Sequence, residues 1–165
     1  MRLTLFRFDT PASVADWSPI DDAVMGGCST SRLRADPAGH AVFEGEVSLR
    51  HGGGFASVRT RPLPLGLAGA QACVIELCGD GRRYKLNLRT DDGFDGVNHQ
   101  AQFDPPLGTW TTLRLPLSAF AATWRGRPVP GAAPLDPAQL RQIGLMTADR
   151  QAGPFALAVR AIGLV

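Results

Sequence analysis

Lysine is almost missing from this 165-residue chain. Lys85 stands alone, and arginine supplies the rest of its 17 basic residues. Fifteen acidic residues leave a net charge of +2, too balanced for a protein that holds nucleic acid or a membrane surface by bulk charge. No apolar run approaches about 18 residues, so no membrane-inserted helix is expected. The start, Met1 to Phe8, lacks the apolar core and the small-residue cleavage site of a secretory signal, and the expected compartment is the cytoplasm. Cysteine is scarce and odd in number, at three. Cys73 and Cys78, five apart in a strand, point to opposite faces, so they read as thiols and not as a disulfide or a zinc pair. His40, His51 and His99 share no metal spacing. Neither a metal nor a cofactor is expected.

Glycine and proline are plentiful, at 19 and 13, and with 44% hydrophobic residues they favour many short strands over long helices. Alternating segments recur at short intervals, separated by Gly, Pro or Asp. Strands are predicted over Leu3–Phe8, Ala41–Leu49, Phe55–Arg61, Ala72–Cys78, Arg82–Thr90, Val97–Phe103, Trp110–Leu115, Gln142–Thr147 and Phe155–Leu164. Gly79-Asp80-Gly81 reads as a hairpin turn. Asp136-Pro137 starts a short helical turn, with Asp as cap and Pro in the first position, and Leu117–Phe120 suggests another. The Pro-rich stretch Arg127–Pro137 is a loop. The pattern is that of one all-β domain over residues 1–165, a sandwich or barrel with one or two short helical turns.

Strand parity gives the first functional clue. Tyr84, Leu86 and Leu88 share one face, and Arg83, Lys85, Asn87 and Arg89 the other. In the next strand Val97, Ala101 and Phe103 alternate with Asn98, Gln100 and Gln102; in the one after, Leu113 and Leu115 alternate with Thr112 and Arg114. If these strands pair, one sheet face is apolar and the other is a field of Arg, Asn and Gln. Most such faces are the solvated side of an antiparallel sheet. Amides and Arg in place of the usual Glu and Lys tilt this one toward a surface that hydrogen-bonds a ligand.

Catalytic motifs fail on their spacing. Ser29 follows Gly27, but Ser31 stands where a hydrolase elbow needs Gly. No Gly-Lys completes a phosphate loop, and Gly52-Gly53-Gly54 lies between two strands. The loop Asp91-Asp92-Gly93-Phe94-Asp95-Gly96 looks like a calcium loop, but its third and twelfth positions are Gly93 and Gln102; a plain hairpin loop is the better reading. An enzyme would have to use Asp21, Asp22 or His51 as acid or base, which requires a pocket joining them.

A resemblance enters through a series of blocks. They are Trp17-Ser-Pro-Ile-Asp-Asp-Ala-Val-Met-Gly-Gly-Cys-Ser29, Phe43-Glu-Gly-Glu-Val-Ser48, Gly53-Gly-Phe-Ala-Ser-Val-Arg59 and Gly79-Asp-Gly-Arg-Arg-Tyr84, then Trp110, Leu115-Pro-Leu-Ser-Ala-Phe120, Arg125-Gly-Arg127, Ile143-Gly144 and Gly153-Pro-Phe155. In this order and spacing the chain resembles the CIA30 family, the complex I intermediate-associated protein 30 domain, from about Trp17 to its end. The resemblance implies a galactose-binding-domain-like jelly-roll β-sandwich. It also implies a non-catalytic, chaperone-like assembly role toward subunits or intermediates of respiratory complex I (NADH:quinone oxidoreductase). As a bare domain without a targeting segment, the chain would be a bacterial, cytoplasmic version.

Within the shared blocks, Gly26 and Gly27 are expected to allow a positive φ or a close backbone approach. Asp22 is expected to cap amides of the turn, and Arg59 to brace it through a pair with Asp21 or Asp22. The candidate contact residues are Asp21, Asp22, Met25, Ser29, Phe55, Ser57 and Arg59 at the loop rim. Arg83, Asn87, Arg89, Asn98, Gln100 and Gln102 follow on the polar face, with Trp124, Arg125 and Arg127 beyond, where Trp beside Arg suits an interface anchor. The alternative use of the polar face is carbohydrate or other small-ligand binding, although neither polar strand carries an aromatic for a sugar to stack on.

Overall fold

A computed structural model describes residues 2–22 and 26–165. Among these residues thirteen strands form two antiparallel sheets. They are β1 (Leu3–Arg7), β2 (Trp17–Pro19), β3 (Thr30–Asp36), β4 (His40–Val47), β5 (Ser57–Thr60), β6 (Ala72–Cys78), β7 (Tyr84–Arg89), β8 (Asn98–Phe103), β9 (Trp110–Pro116), β10 (Ala121–Trp124), β11 (Arg127–Pro128), β12 (Gln142–Thr147) and β13 (Gly153–Leu164). The first sheet has the order β3-β4-β13-β6-β9, with β1 also on β13; the second has the order β11-β10-β8-β7-β12-β5-β2. The twelve residues of β13 are shared lengthwise: Gly153–Val159 pair with β4 and Ala161–Leu164 with β1. Single-turn 3₁₀ segments cover Pro11–Val14, Arg50–Gly52, Leu117–Ala119 and Pro137–Gln139, and Asp136 caps the last by accepting from the Ala138 N–H at 3.0 Å. The expected jelly-roll sandwich is present, and both expected turns are there, with two more among the described residues.

Alternation explains the core. Tyr84, Leu86 and Leu88 of β7, Ile143 and Leu145 of β12 and Val58 of β5 turn inward and are buried. They meet Phe43, Ile75, Leu77, Phe155 and Leu157 from the first sheet. Phe43 anchors an aromatic cluster, with Phe155 at 4.9 Å and Tyr84 at 6.0 Å between ring centroids, edge to face. This is the arrangement aromatic quadrupoles prefer. Trp17 is core, 5.2 Å from Phe6.

Three expectations change. Gly79-Asp80-Gly81 does not close a hairpin: β6 belongs to the first sheet and β7 to the second. The turn is a crossover, and the Asp80 carboxylate organises it by accepting from the Arg82 N–H, the Tyr84 hydroxyl and the Ala156 N–H. Strand β9 pairs with β6, not with β8, so Thr112 and Arg114 leave the polar field. Strands β2, β3, β10 and β11 are additions.

Gly45 shows how tightly edge strand β3 is laid down. A Cβ at that position would lie 2.8 Å from the Ser31 Cα, closer than side chains approach backbone. Gly45→Ala is therefore expected to cost about 1–3 kcal/mol through overpacking, read as a lower urea midpoint at unchanged slope.

Candidate functional site

The loop blocks and the polar face prove to be two connected structures. The first is a knot of hydrogen bonds along one side of the sandwich. Asp21 leaves β2, and its Oδ1 accepts from the Ser31 hydroxyl of β3 at 2.5 Å and from the Ser57 N–H of β5 at 2.9 Å. The Ser31 hydroxyl also contacts the Ser57 carbonyl at 3.0 Å, so the pair bridges the edge of the first sheet to the second. Asp22 lies one residue on and is 1% exposed. Its carboxylate accepts from the Ser29 N–H at 2.8 Å, the Ser29 hydroxyl at 2.6 Å and the Gly54 N–H at 2.8 Å. Ser29 in turn accepts from the Ser48 N–H at 2.8 Å.

Neighbouring carboxyls thus live in opposite electrostatic conditions. Burial pushes Asp21 above the usual aspartate range, which the hydrogen bonds from Ser31 and Ser57 only partly offset. Burial acts in the same direction on Asp22, but donors from Ser29, Gly54 and Phe55 outweigh it and hold the carboxyl below its usual value.

Gly26 takes the expected positive φ, +89°, whereas the close approach at Gly27 is to the Asp22 side chain and not to a neighbouring backbone. Met25 lies outside the described residues. Phe55 is half-buried beside Gly54, and the Ser57 hydroxyl donates to the Ile20 carbonyl.

The second structure is the outer face of the second sheet. Register aligns Ser18, Arg59, Gly144, Asn87, Gln100 and Ala121 in one row across β2, β5, β12, β7, β8 and β10. Ser57, Met146, Lys85 and Gln102 form a second row. Gln142 faces Arg89 in a third, to which β8 adds Asn98. Gln100 donates to the Asn87 Oδ1 at 2.8 Å, and both amides lean on the Met146 sulfur. Gln102 reaches Asp149 at 3.1 Å.

The Asp91–Gly96 segment joins β7 to β8 as a hairpin loop and folds back over one end of this face. Gln142 Nε2 donates to the Asp91 and Gly93 carbonyls. Arg89 Nη1 donates to the Phe94 carbonyl at 2.6 Å while the same guanidinium holds Asp91. Arg89 is consequently 1% exposed, a buried clamp on a face where parity alone predicts exposure.

Arg59 does not pair with Asp21 or Asp22. The 90s loop intercepts it: Nη2 donates to the Phe94 carbonyl at 3.0 Å, and the guanidinium lies 5.0 Å from the Phe94 ring centroid. Burial, and then the charge of Arg89, bring its pKa down to about 10.

Phe94 is 60% exposed, so the loop supplies the aromatic that the strands lack. Trp124 at the β10 end is 43% exposed, beneath the Arg125 guanidinium at 4.7 Å, and Arg125 ties the same loop through Asp95 at 2.6 Å. Arg127 is exposed on β11. Arg83 stands apart, joined to Asp104 and Asp149. Parity thus found most of the face but missed Gly144, Met146 and Gln142, whose strand joins it only through long-range pairing. It missed Phe94 too, although a lone aromatic in an Asp/Gly loop was a usable signal. Among the described residues one open cleft runs along Thr30–Arg32 and Glu44–Gly45 and another along Leu67–Gln71; neither is lined by Asp21, Asp22 or His51.

The architecture defines a class. The chain superimposes on the family 11 carbohydrate-binding module from Clostridium thermocellum in complex with a β-1,3-1,4-mixed-linked tetrasaccharide, at a TM-score of 0.68 and 18% identity over 99% of this chain and 95% of that one. It also matches a family 29 carbohydrate-binding module at a TM-score of 0.56 and 9% identity. These are likenesses of fold, that of the galactose-binding-like sandwich. Within it, the family model described as complex I intermediate-associated protein 30 matches residues 6–159, and the chain belongs to the CIA30 family. The "Complex I intermediate-associated protein 30, mitochondrial" of Drosophila melanogaster is 28% identical over 97% of this chain. Its Neurospora crassa namesake is 27% identical over 94%. The chain spans 62% of the fly protein and 70% of the fungal one. These names also correct an expectation: the relatives are eukaryotic proteins called mitochondrial, which contradicts the cytoplasmic address and gives a bacterial origin no support.

Proposed function

We propose that this protein is a non-catalytic binding module that assists the assembly of respiratory complex I by transiently covering a surface of a subunit or intermediate. Family membership supports the complex I role. The observation that carries the mode of action is the outer face of the second sheet, where amide and cationic side chains from β5, β7 and β8 stand beside two exposed aromatics, Phe94 and Trp124, each under an arginine. Aromatic and arginine anchors of this kind dominate binding energy at protein interfaces.

The test has two parts. Tagged protein gently purified from its own cells should retain complex I subunits, and deletion of the gene should lower membrane NADH:quinone oxidoreductase activity. Undiminished activity in the deletion strain argues against the role.

A second reading, carbohydrate or other small-ligand binding, gains from Phe94, an exposed ring on which a sugar could stack; it lies against Arg59, which shares a row of the face with Asn87 and Gln100. A sugar panel showing saturable binding that is lost in Phe94→Ala would support it, and flat titrations would remove it.

A further inference from the structure

The outer face of the second sheet has an uneven charge balance. Asp91 is held by Arg89, Asp92 by Arg141, Asp95 by Arg125 and Asp149 by Arg83 and Gln102. Among the described residues two half-buried cations on the central strands of this face meet no carboxylate, while Arg127, at the β11 edge opposite Trp124, is exposed and also forms no ion pair. Arg59 spends one donor on the Phe94 carbonyl, and Lys85, the chain's single lysine, is half-buried without a hydrogen bond or ion pair. Arg59 is also held in a condition that disfavours its charge, with burial first and Arg89 second, and the more distant Asp91 carboxylate offsets these only in part. A cation that no carboxylate of its own chain holds is open to a ligand anion, and at a half-buried position that anion is less screened than in free solvent. Between them Gly144 contributes no side chain. A Cβ there would sit 3.7 Å from the Arg59 Cβ and 3.6 Å from the Asn87 Cβ, so bare backbone floors the space beside Arg59.

We propose that this face receives the carboxylates of an acidic segment of the protein partner, one on Arg59 and one on Lys85. The proposal rests on the binding-module reading and specifies the chemistry of its occupant. Strand β12 lies between the strands of the two cations, and the cations are one same-face position out of register. With strands about 4.8 Å apart and a rise of about 3.3 Å per residue, their Cα atoms are roughly 12 Å apart. In an extended peptide, acidic residues four positions apart span about 13 Å and point the same way. The exposed Phe94 ring beside Arg59 offers an apolar contact to a residue flanking the first acid. An uncharged glycan would leave both cations uncompensated.

The experiment is calorimetric titration of the full chain at low ionic strength with a Gly/Ser peptide carrying two Glu four residues apart, and with the same peptide carrying Gln. The Glu peptide should bind at least about tenfold more tightly, with an advantage that fades as salt is added. Arg59→Gln and Lys85→Gln should each remove most of that advantage, whereas Arg114→Gln, on the first sheet, should leave it intact. Thermal melts of each variant check folding; because Arg59 is an unfavourable cation in the fold, Arg59→Gln should keep or slightly raise the melting temperature. Equal binding of the two peptides, equal losses in all three variants, or binding only of a mixed-linkage glucan tetrasaccharide would overturn the proposal. Co-purification separates this idea from the function it rests on. If the Arg59→Gln/Lys85→Gln protein still retains complex I subunits, the acidic-segment proposal fails and the assembly role stands. If the unaltered protein retains none, the assembly role fails and the peptide titration decides the charge recognition alone.

Discussion

Asp22→Ala is expected to lower stability by about 3–5 kcal/mol, because hydrogen bonds to a buried charge are worth about 1.5–3 kcal/mol each and the donors left behind are buried too. For a chain of this length that is a fall of roughly 8–15 °C in melting temperature. The deletion strands the Ser29 and Gly54 N–H groups and the Ser29 hydroxyl at once. Water has little access to replace the lost acceptor, since Asp22 is 1% exposed and Gly27 and Gly53 pack against its side chain. Asp22→Asn keeps the shape but turns an NH₂ toward at least one donor, so it should recover only part of the loss. Ser29→Ala takes one donor from Asp22 and strands the Ser48 N–H, and should cost about 1–3 kcal/mol. Differential scanning calorimetry orders the three variants.

The same carboxyl sets a pH dependence. Its pKa in the folded protein is lowered, so the unfolded chain binds the proton more readily. The stabilisation is complete above the ordinary aspartate pKa of about 3.9 and is lost as pH falls through the lowered folded value. Asp21 acts with the opposite sign: its pKa is raised, so its contribution declines as pH rises through that raised value. The acid limb of a stability profile below about pH 4 should therefore flatten in Asp22→Asn. An acid limb as steep as that of the unaltered protein would mean that other carboxylates control it.

How far the sequence speaks for the structure depends on whether the information is local. Alternation located nine strands, and Ala72–Cys78 and Gln142–Thr147 have the bounds expected. It missed β3, because this is an edge strand whose inward residues Ser31, Leu33 and Ala35 are only half-buried, leaving little contrast with Arg32 and Arg34. It missed β10 and β11 because four and two residues are too short for a period to show. Gly79–Gly81 has the chemistry of a tight turn in either role. Whether β7 returns beside β6 or crosses to the opposite sheet is decided by partners far along the chain. The site divides in the same way. Asn87, Arg89, Asn98, Gln100 and Gln102 share a face by parity alone. That Arg59 turns to Phe94 and not to the aspartates, and that Lys85 lies beside Met146, required the placement of β5 and β12 against β7.

Arg89→Ala should have the second large effect, and it should act on the loop more than on the sheet. The side chain is the largest fully buried one, and its aliphatic stem packs as well as its head bonds. Its ion pair with Asp91 contributes little, because Asp91 is 48% exposed and rehydrates when released. The main losses are the 2.6 Å bond to the Phe94 carbonyl and the volume left beneath the loop. About 2–4 kcal/mol is expected. Gln142 would still hold the Asp91 and Gly93 carbonyls, so the loosening should be lopsided. Amide hydrogen exchange should accelerate over residues 94–96 and change little over 91–93. Removing the neighbouring positive charge should also raise the Arg59 pKa from about 10, while taking away the fixed carbonyl and ring that orient its guanidinium. If Arg89 is the clamp that presents Phe94 and Arg59 together, Arg89→Ala will weaken binding of the acidic peptide even though the cation it leaves behind is more comfortable. Uniform exchange across the whole loop, or undiminished peptide binding, would show that Gln142 and the Asp95–Arg125 pair position the loop without it.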